Sequence, residues 1–290
     1  MTGQSQSAQD GDPTGRRGAH LAARLAAVRA RIEAAARAAG RDPAELTLIA
    51  VSKTYPAEDV VMLRTLGVGH FAENREQEAG SKVNSVTQRL GVVASPRGGE
   101  ADRATATPLA VGAADRDGAP GAGPVWHFVG QLQRNKARSI LSWADWVQSV
   151  DRPALVPLLS RLAVERGHPL SVCLQVLLDV RSASGGSAPV GVAGSGRGGI
   201  VPGDLPALAD LVEEAPGLTL QGVMAVAPRG EPPRPAFAEL RAVAERLVAD
   251  HPRATVVSAG MSGDLEAAVA EGATHLRIGT ALFGERPGVP

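Results

Sequence analysis

Leu46-Thr47-Leu48-Ile49-Ala50-Val51-Ser52-Lys53-Thr54 is a short, mostly apolar run bracketed by Pro43 and Pro56. The prolines leave no room for a helix of several turns, and Ile, Val and Thr favour extended backbone. Such a run, bounded by turn signals, predicts a strand buried on both faces. At its end stands Lys53, one of three lysines (with Lys82 and Lys136) beside 27 arginines. Where charge alone is wanted, this chain uses arginine. A guanidinium stays protonated and cannot act as an amine nucleophile, whereas a lysine can. The alternative for Lys53 is a solvated cation at a strand end.

Working outward, residues 19–39 place Leu21, Leu25, Val28 and Ile32 at helical spacing and stop at Gly40, which predicts an amphipathic helix covering the end of the fold. Residues 1–17 are rich in Gly, Ser, Gln and Asp and are expected to be disordered. Downstream, short strands are expected at 70–74, 126–130, 146–150, 171–179, 219–226, 255–259 and 275–279. Helical segments lie between them, one capped by Asp151 with Pro153 in its first turn. Two Gly-rich stretches, about 91–124 and 181–199, lack periodicity and are expected to be flexible insertions. Eight strands alternating with helices predict a parallel sheet, and at 290 residues a closed (β/α)8 barrel of the TIM type. The barrel is expected to be a single domain over 18–287.

The composition narrows the function classes. Thirty basic and thirty acidic residues balance without a basic stripe, which argues against nucleic acid as partner. No apolar run approaches the ~20 residues that span a bilayer, and residues 1–18 lack a signal-peptide core. A cytoplasmic protein without a membrane partner is expected. The single cysteine, Cys173, excludes an intramolecular disulfide or a cysteine-built metal site and is read as core. No Gly-x-Gly-x-x-Gly follows the first strand, so a dinucleotide crevice is not expected.

In such a barrel, chemistry sits at the carboxyl ends of the strands, and phosphate commonly binds after strands seven and eight. Those loops read Ala259-Gly260-Met261-Ser262-Gly263-Asp264 and Gly279-Thr280-Ala281. Small residues let backbone N–H groups approach an anion at a helix start; otherwise Ser262 or Asp264 is simply a helix cap. Arg277 lies in an apolar strand, where a lone cation is costly. It either pairs with a carboxylate such as Glu73 or Asp179 or meets a ligand at the barrel mouth. An amine nucleophile, a phosphate cradle and an arginine at one end describe a site for pyridoxal phosphate.

These segments resemble a known family, the pyridoxal phosphate homeostasis proteins, which share the barrel of the alanine racemase-like (fold type III) pyridoxal enzymes. The matching stretches are Ala50-Val51-Ser52-Lys53-Thr54, Phe71-Ala72-Glu73-Asn74, residues 126–136 (Trp126-His127-Phe128-Val129-Gly130 onward), Gly222-Val223-Met224-Ala225, Gly260-Met261-Ser262-Gly263-Asp264 and residues 277–284 from Arg277-Ile278-Gly279-Thr280. The resemblance implies that Lys53 carries pyridoxal 5'-phosphate as an aldimine, that Ser262, Gly279 and Thr280 hold the phosphate, that Arg277 faces the ring nitrogen and that Asn74 lies beside the cofactor. Ala72 stands where the family usually has glycine, and Arg75-Glu76 replaces a common apolar pair.

The same resemblance implies a non-catalytic protein, a monomer, that buffers the cofactor or delivers it to apoenzymes and so affects amino-acid and keto-acid pools. A racemase of this fold class needs a second base opposite the lysine and a C-terminal β domain. The one tyrosine, Tyr55, is two residues from Lys53, and too few residues follow Arg277 for such a domain. The alternative is a weak amino-acid racemase using Lys53 alone or with His127, although a strand histidine is more often held by hydrogen bonds. A phosphate-sugar barrel enzyme without the cofactor is a third reading.

Overall fold

The computed structural model describes residues 13–91, 123–178 and 198–285. The tail before residue 13, the two Gly-rich stretches apart from their edges, and Asp179 lie outside the described residues. Among the described residues, eight parallel strands close in sequence order into a barrel: β1 Thr47–Val51, β2 His70–Glu73, β3 Val125–Phe128, β4 Trp146–Val150, β5 Leu170–Gln175, β6 Leu218–Met224, β7 Val256–Ser258 and β8 His275–Ile278. β1 closes the ring against β8, with Ile49 opposite Arg277 and Ala50 opposite Ile278. The predicted barrel is therefore present, and each predicted strand is found with its ends within a few residues.

The ring of helices is α2 Ala57–Thr65, α3 Glu76–Leu90, α4 Ala137–Leu141, α5 Val156–Glu165, α6 Leu205–Glu213, α7 Pro233–Asp250, α8 Leu265–Ala270 and the single turn α9 Thr280–Phe283. The leading helix, α1 Pro13–Ala38, departs from expectation twice. It starts within the stretch expected to be disordered, because the Arg17 Nε donates to Oδ1 of Asp59 at 2.9 Å, tying the helix to a carboxylate buried in α2. It also does not cap the barrel's end. It packs on α2, α8 and α9, filling the place in the ring that four-residue α9 is too short to fill. Leu21, Leu25, Val28 and Ile32 are the buried stripe that the spacing predicted.

Strand alternation divides the barrel wall into two faces. Outward-facing Ala50, Phe71, Trp126, Phe128, Val147, Val172, Leu174, Leu220, Val223, Val257, Leu276 and Ile278 join the helices in one continuous apolar core. Inward-facing apolar residues form only two small groups, Ile49, Val51 and Ala72 near one side and Cys173, Met224 and Val256 near the other. The space between them is polar. Cys173 is fully buried there, and burial pushes its thiol up to about 12, so it is inert packing.

Candidate functional site

Lys53 lies two residues beyond the end of β1, as the first central residue of a turn closed by the Tyr55 N–H donating to the Ser52 carbonyl at 3.0 Å. The second central residue, Thr54, has φ +70°, a left-handed conformation that a β-branched side chain rarely adopts. Strain of this kind persists only where the surroundings over-determine the backbone. Here both sides of the turn are pinned. Tyr55, buried, donates from its hydroxyl to the Gly284 carbonyl at 2.6 Å and stacks on Phe283 with ring centroids 4.5 Å apart. On the other side the Ser52 hydroxyl donates to Glu73 Oε1 at 2.7 Å, and Lys82 Nζ donates to that oxygen at 2.6 Å and to the Ser52 carbonyl at 2.8 Å. Tyr55 is thus a structural clamp at the lysine's turn, and its hydroxyl is committed.

Glu73 is completely buried, and burial raises its carboxyl above the ordinary range against the pull of Lys82 and Ser52. It faces the helices with Ser52, and Arg277 faces inward from the opposite side of the wall. The pairing of Arg277 with Glu73 raised from the sequence is therefore excluded. The second lysine, Lys82, neutralises Glu73 instead, and the third, Lys136, pairs with Glu76 at 3.1 Å.

Asn74 follows β2 directly, and its Oδ1 is buried without a hydrogen-bond partner. The close approach of Gly130 secures this corner, since a Cβ at 130 would meet the Asn74 carbonyl oxygen at 2.2 Å. Across the mouth, the Ala281 N–H donates to the Ser262 Oγ at 3.2 Å, joining the loop after β7 to the start of α9. Arg31 of α1 holds the same loop through the Ser262 carbonyl at 3.2 Å. Ser262 is therefore a bridge between loops, and Asp264, at the cap position of α8, accepts from the Met261 N–H at 2.5 Å without a side-chain bond into the helix. At Gly279 a Cβ would meet Val51 only at ordinary contact, 3.5 Å. The packing at this helix start is therefore not tight, and Thr280 is exposed next to it. Asp151 is not the cap predicted from the sequence. Its carboxylate bonds the adjacent Arg152 at 2.5 Å, and Arg152 occupies the cap position of the 3-10 turn Pro153–Leu155.

Arg277 is almost wholly buried and forms no ion pair among the described residues, although the charge of Asp264 acts on it from a distance. Nη1 donates to the carbonyl and the hydroxyl of Ser258, each at 2.7 Å, and Nη2 to the Ala225 carbonyl at 2.7 Å. Burial lowers it to about 10, so it stays charged at neutral pH. A guanidinium has five N–H donors, and two of those of Arg277 have no partner among the described residues. His127 lies fully inside the barrel between His70 and Gln148, at 2.9 Å from each. Burial, then the neighbouring His70 and His275, hold it well below the ordinary histidine value. As expected for a strand histidine held by hydrogen bonds, it is enclosed in the wall.

The residues present fit pyridoxal phosphate on these observations. Arg277 has spare donors for a ring nitrogen that accepts. Asn74 has an orphaned Oδ1, and its amide oxygen and nitrogen exchange by a flip, which would suit a ring oxygen. Gly279, half-buried at the start of α9, lies beside the Ser262 loop and is not packed shut, since an added Cβ would make only ordinary contact there.

The sequence model of the family described as alanine racemase, N-terminal domain, matches residues 23–287. A protein of Mycobacterium leprae named pyridoxal phosphate homeostasis protein is 37% identical over 96% of this chain and 97% of its own length. One of the same name from Pseudomonas aeruginosa is 40% identical over 92% and 96%. This chain belongs to the pyridoxal phosphate homeostasis protein family. The solved structure of a member, PipY of Synechococcus elongatus PCC7942 with PLP bound, superposes at a TM-score of 0.66 with 33% identity, covering 91% of this chain and all of that one.

The roles of four residues at this site escaped the reading from sequence: Ser258 and Gln148 behind Arg277, and Glu73 with Lys82 behind the turn of Lys53. The rarity of lysine was the available signal for Lys82, and two adjacent polar residues, Gln148 and Ser149, inside a buried strand were the signal for Gln148. No described helix is long and apolar enough to cross a membrane.

Proposed function

We propose that this protein binds pyridoxal 5'-phosphate and serves intracellular cofactor homeostasis, buffering the cofactor or delivering it to apoenzymes without turning over a substrate. The observation that carries the reading is the grouping on one rim. β1 and β8 are register neighbours, so the turn of Lys53, Gly279 and the guanidinium of Arg277 belong to one side of the mouth. When bound, the cofactor supplies an aldehyde that amines attack and a ring that withdraws electrons. Lys53 would be the residue whose amine holds the cofactor's aldehyde covalently. Ser262, Gly279 and Thr280 hold the phosphate, Arg277 donates to the ring nitrogen, and Asn74 lies against the ring oxygen. The protein works as a monomer in the cytoplasm.

Absence of turnover is supported by what the side chains nearby are already doing. Racemization requires a base on each face. Tyr55 is committed to Gly284, and His127 is sealed in the barrel wall with both ring nitrogens engaged. Arg277, charged and donating, disfavours a proton on the ring nitrogen and so weakens the ring as an electron sink. The test is isotope exchange at the α-carbon of alanine and serine by the loaded protein. No exchange above the free cofactor's rate is expected, and exchange at enzymatic turnover rates would make the protein a racemase.

A further inference from the structure

The polar strip inside the barrel is continuous. Arg277 Nη1 reaches Ser258 Oγ at 2.7 Å, Ser258 Oγ reaches Gln148 Oε1 at 2.8 Å, Gln148 Nε2 reaches His127 Nδ1 at 2.9 Å, and His127 Nε2 reaches His70 Nδ1 at 2.9 Å. Every member is buried, and together they link β8, β7, β4, β3 and β2. The direction of each bond follows from the first. A guanidinium can only donate, so Ser258 Oγ accepts from Arg277 and its own proton goes to Gln148. The amide oxygen accepts that proton, which turns the amide nitrogen toward His127. An amide nitrogen only donates, so His127 Nδ1 carries no proton and its hydrogen sits on Nε2. That hydrogen points at His70 Nδ1, which must also be bare. Turning the Gln148 amide over would leave the serine proton without an acceptor among the described residues. A charged His127 would set two donors face to face. The fixed charge on Arg277 therefore dictates the protonation of two histidines, the farther one with three side chains in between.

We propose that Ser258, Gln148, His127 and His70 form a one-way hydrogen-bond chain, every donor directed away from Arg277, that positions its guanidinium for the cofactor's ring nitrogen. The role toward the cofactor rests on the function proposed above; the chain itself does not. Ser258 supplies two of the three acceptors that hold the guanidinium, and Gln148 keeps the serine hydroxyl turned so that its oxygen remains open to Arg277. Cofactor binding needs the two remaining Arg277 donors at fixed positions, and a group with mobile side-chain neighbours cannot offer them. These are positioning residues, with no contact to cofactor required of them.

The test begins on cofactor-free protein, by two-bond proton–nitrogen NMR of labelled histidine near pH 7.5. His127 and His70 are expected to be neutral with the proton on Nε2; an Nδ1–H or imidazolium form of His127 overturns the chain. Gln148→Glu keeps an acceptor for Ser258 but now accepts from His127, so the proton of His127 is expected to move to Nδ1 and that of His70 with it. Unchanged tautomers would overturn the directional account. Ser258→Ala is expected to broaden the Arg277 side-chain N–H signals in the same cofactor-free spectra, with Ser258→Thr restoring them. Loaded with pyridoxal phosphate, the alanine variant should bind about tenfold more weakly with a shifted visible band, and the threonine variant as wild type. Sharp Arg277 signals together with unaltered affinity in Ser258→Ala would overturn the positioning role. A wild type that shows the expected tautomers and takes up no cofactor would defeat the function proposed above and leave the chain standing.

Discussion

The two faces of the barrel wall are made of the same eight strands and do opposite work. Outside, aromatic and aliphatic side chains such as Phe71, Trp126 and Leu276 merge with the helices into one apolar core. Inside, apolar packing breaks into two small groups separated by histidines, a glutamine, a serine and an arginine. The outer face carries the hydrophobic stabilisation. The inner face holds charged and polar groups whose burial is tolerable only because each is bonded to a neighbour. Stability and binding are therefore separated by one residue along each strand.

That separation can be broken on the outer face first. Phe71→Ala removes a fully buried ring packed at 5.7 Å from Trp126 and should cost about 3–5 kcal/mol in denaturant unfolding. The folded fraction should still bind cofactor with wild-type affinity; a large affinity loss would mean the faces are coupled. Next is Lys82→Met, which strands the carboxylate of Glu73 in the outer layer. Breaking a buried pair costs about 3 kcal/mol or more. Since the carboxyl already sits high, it will take a proton in the folded variant. A group whose folded value is raised loses its contribution as pH climbs, so the deficit should be greater at pH 8 than at pH 5.5. A pH-independent deficit would contradict the burial of Glu73.

The inner face should respond to acid. His275 is pushed down to about 3 by burial, then by His70 and Arg277, and His127 is likewise held low. Both remain neutral when folded while the unfolded chain gains protons below about pH 6.5. Folded values below unfolded ones mean stability present above pH 6.5 and lost as pH falls, by about 1.4 kcal/mol per pH unit for each histidine. Unfolding free energies measured between pH 7.5 and 5.5 should show this slope, and a flat profile would contradict a neutral inner face. The smallest effect is expected at the rim. Thr54→Gly relieves a left-handed φ, with a stability gain of less than about 1 kcal/mol because glycine also frees the unfolded chain. It should loosen the turn of Lys53 and slow capture of the cofactor in a stopped-flow measurement.

The barrel was legible because alternation and turn residues are local signals: β1 and the loops after β7 and β8 could be placed from the sequence. The residues at the rim, Lys53, Asn74, Ser262, Arg277, Gly279 and Thr280, were chosen by resemblance together with strand-end position, and the fold sets them within or shortly after the last residues of β1, β2, β7 and β8. Arg277's true partners were not legible. Ser258 and Gln148 lie 19 and 129 residues away in sequence, and only closure of the barrel makes them neighbours. The role of α1 was missed for a related reason, since the shortness of α9, which creates its berth, is a property of the ring and not of the helix itself.

The most direct test of the central claim is the visible absorption spectrum of purified protein incubated with pyridoxal 5'-phosphate, beside Lys53→Ala, before and after borohydride. The account predicts a yellow band in the wild type that borohydride bleaches, with the reduced cofactor recovered on the peptide containing Lys53 and no such band in the variant. A wild type that stays colourless, or a label recovered on Lys82 or Lys136 instead, would contradict it.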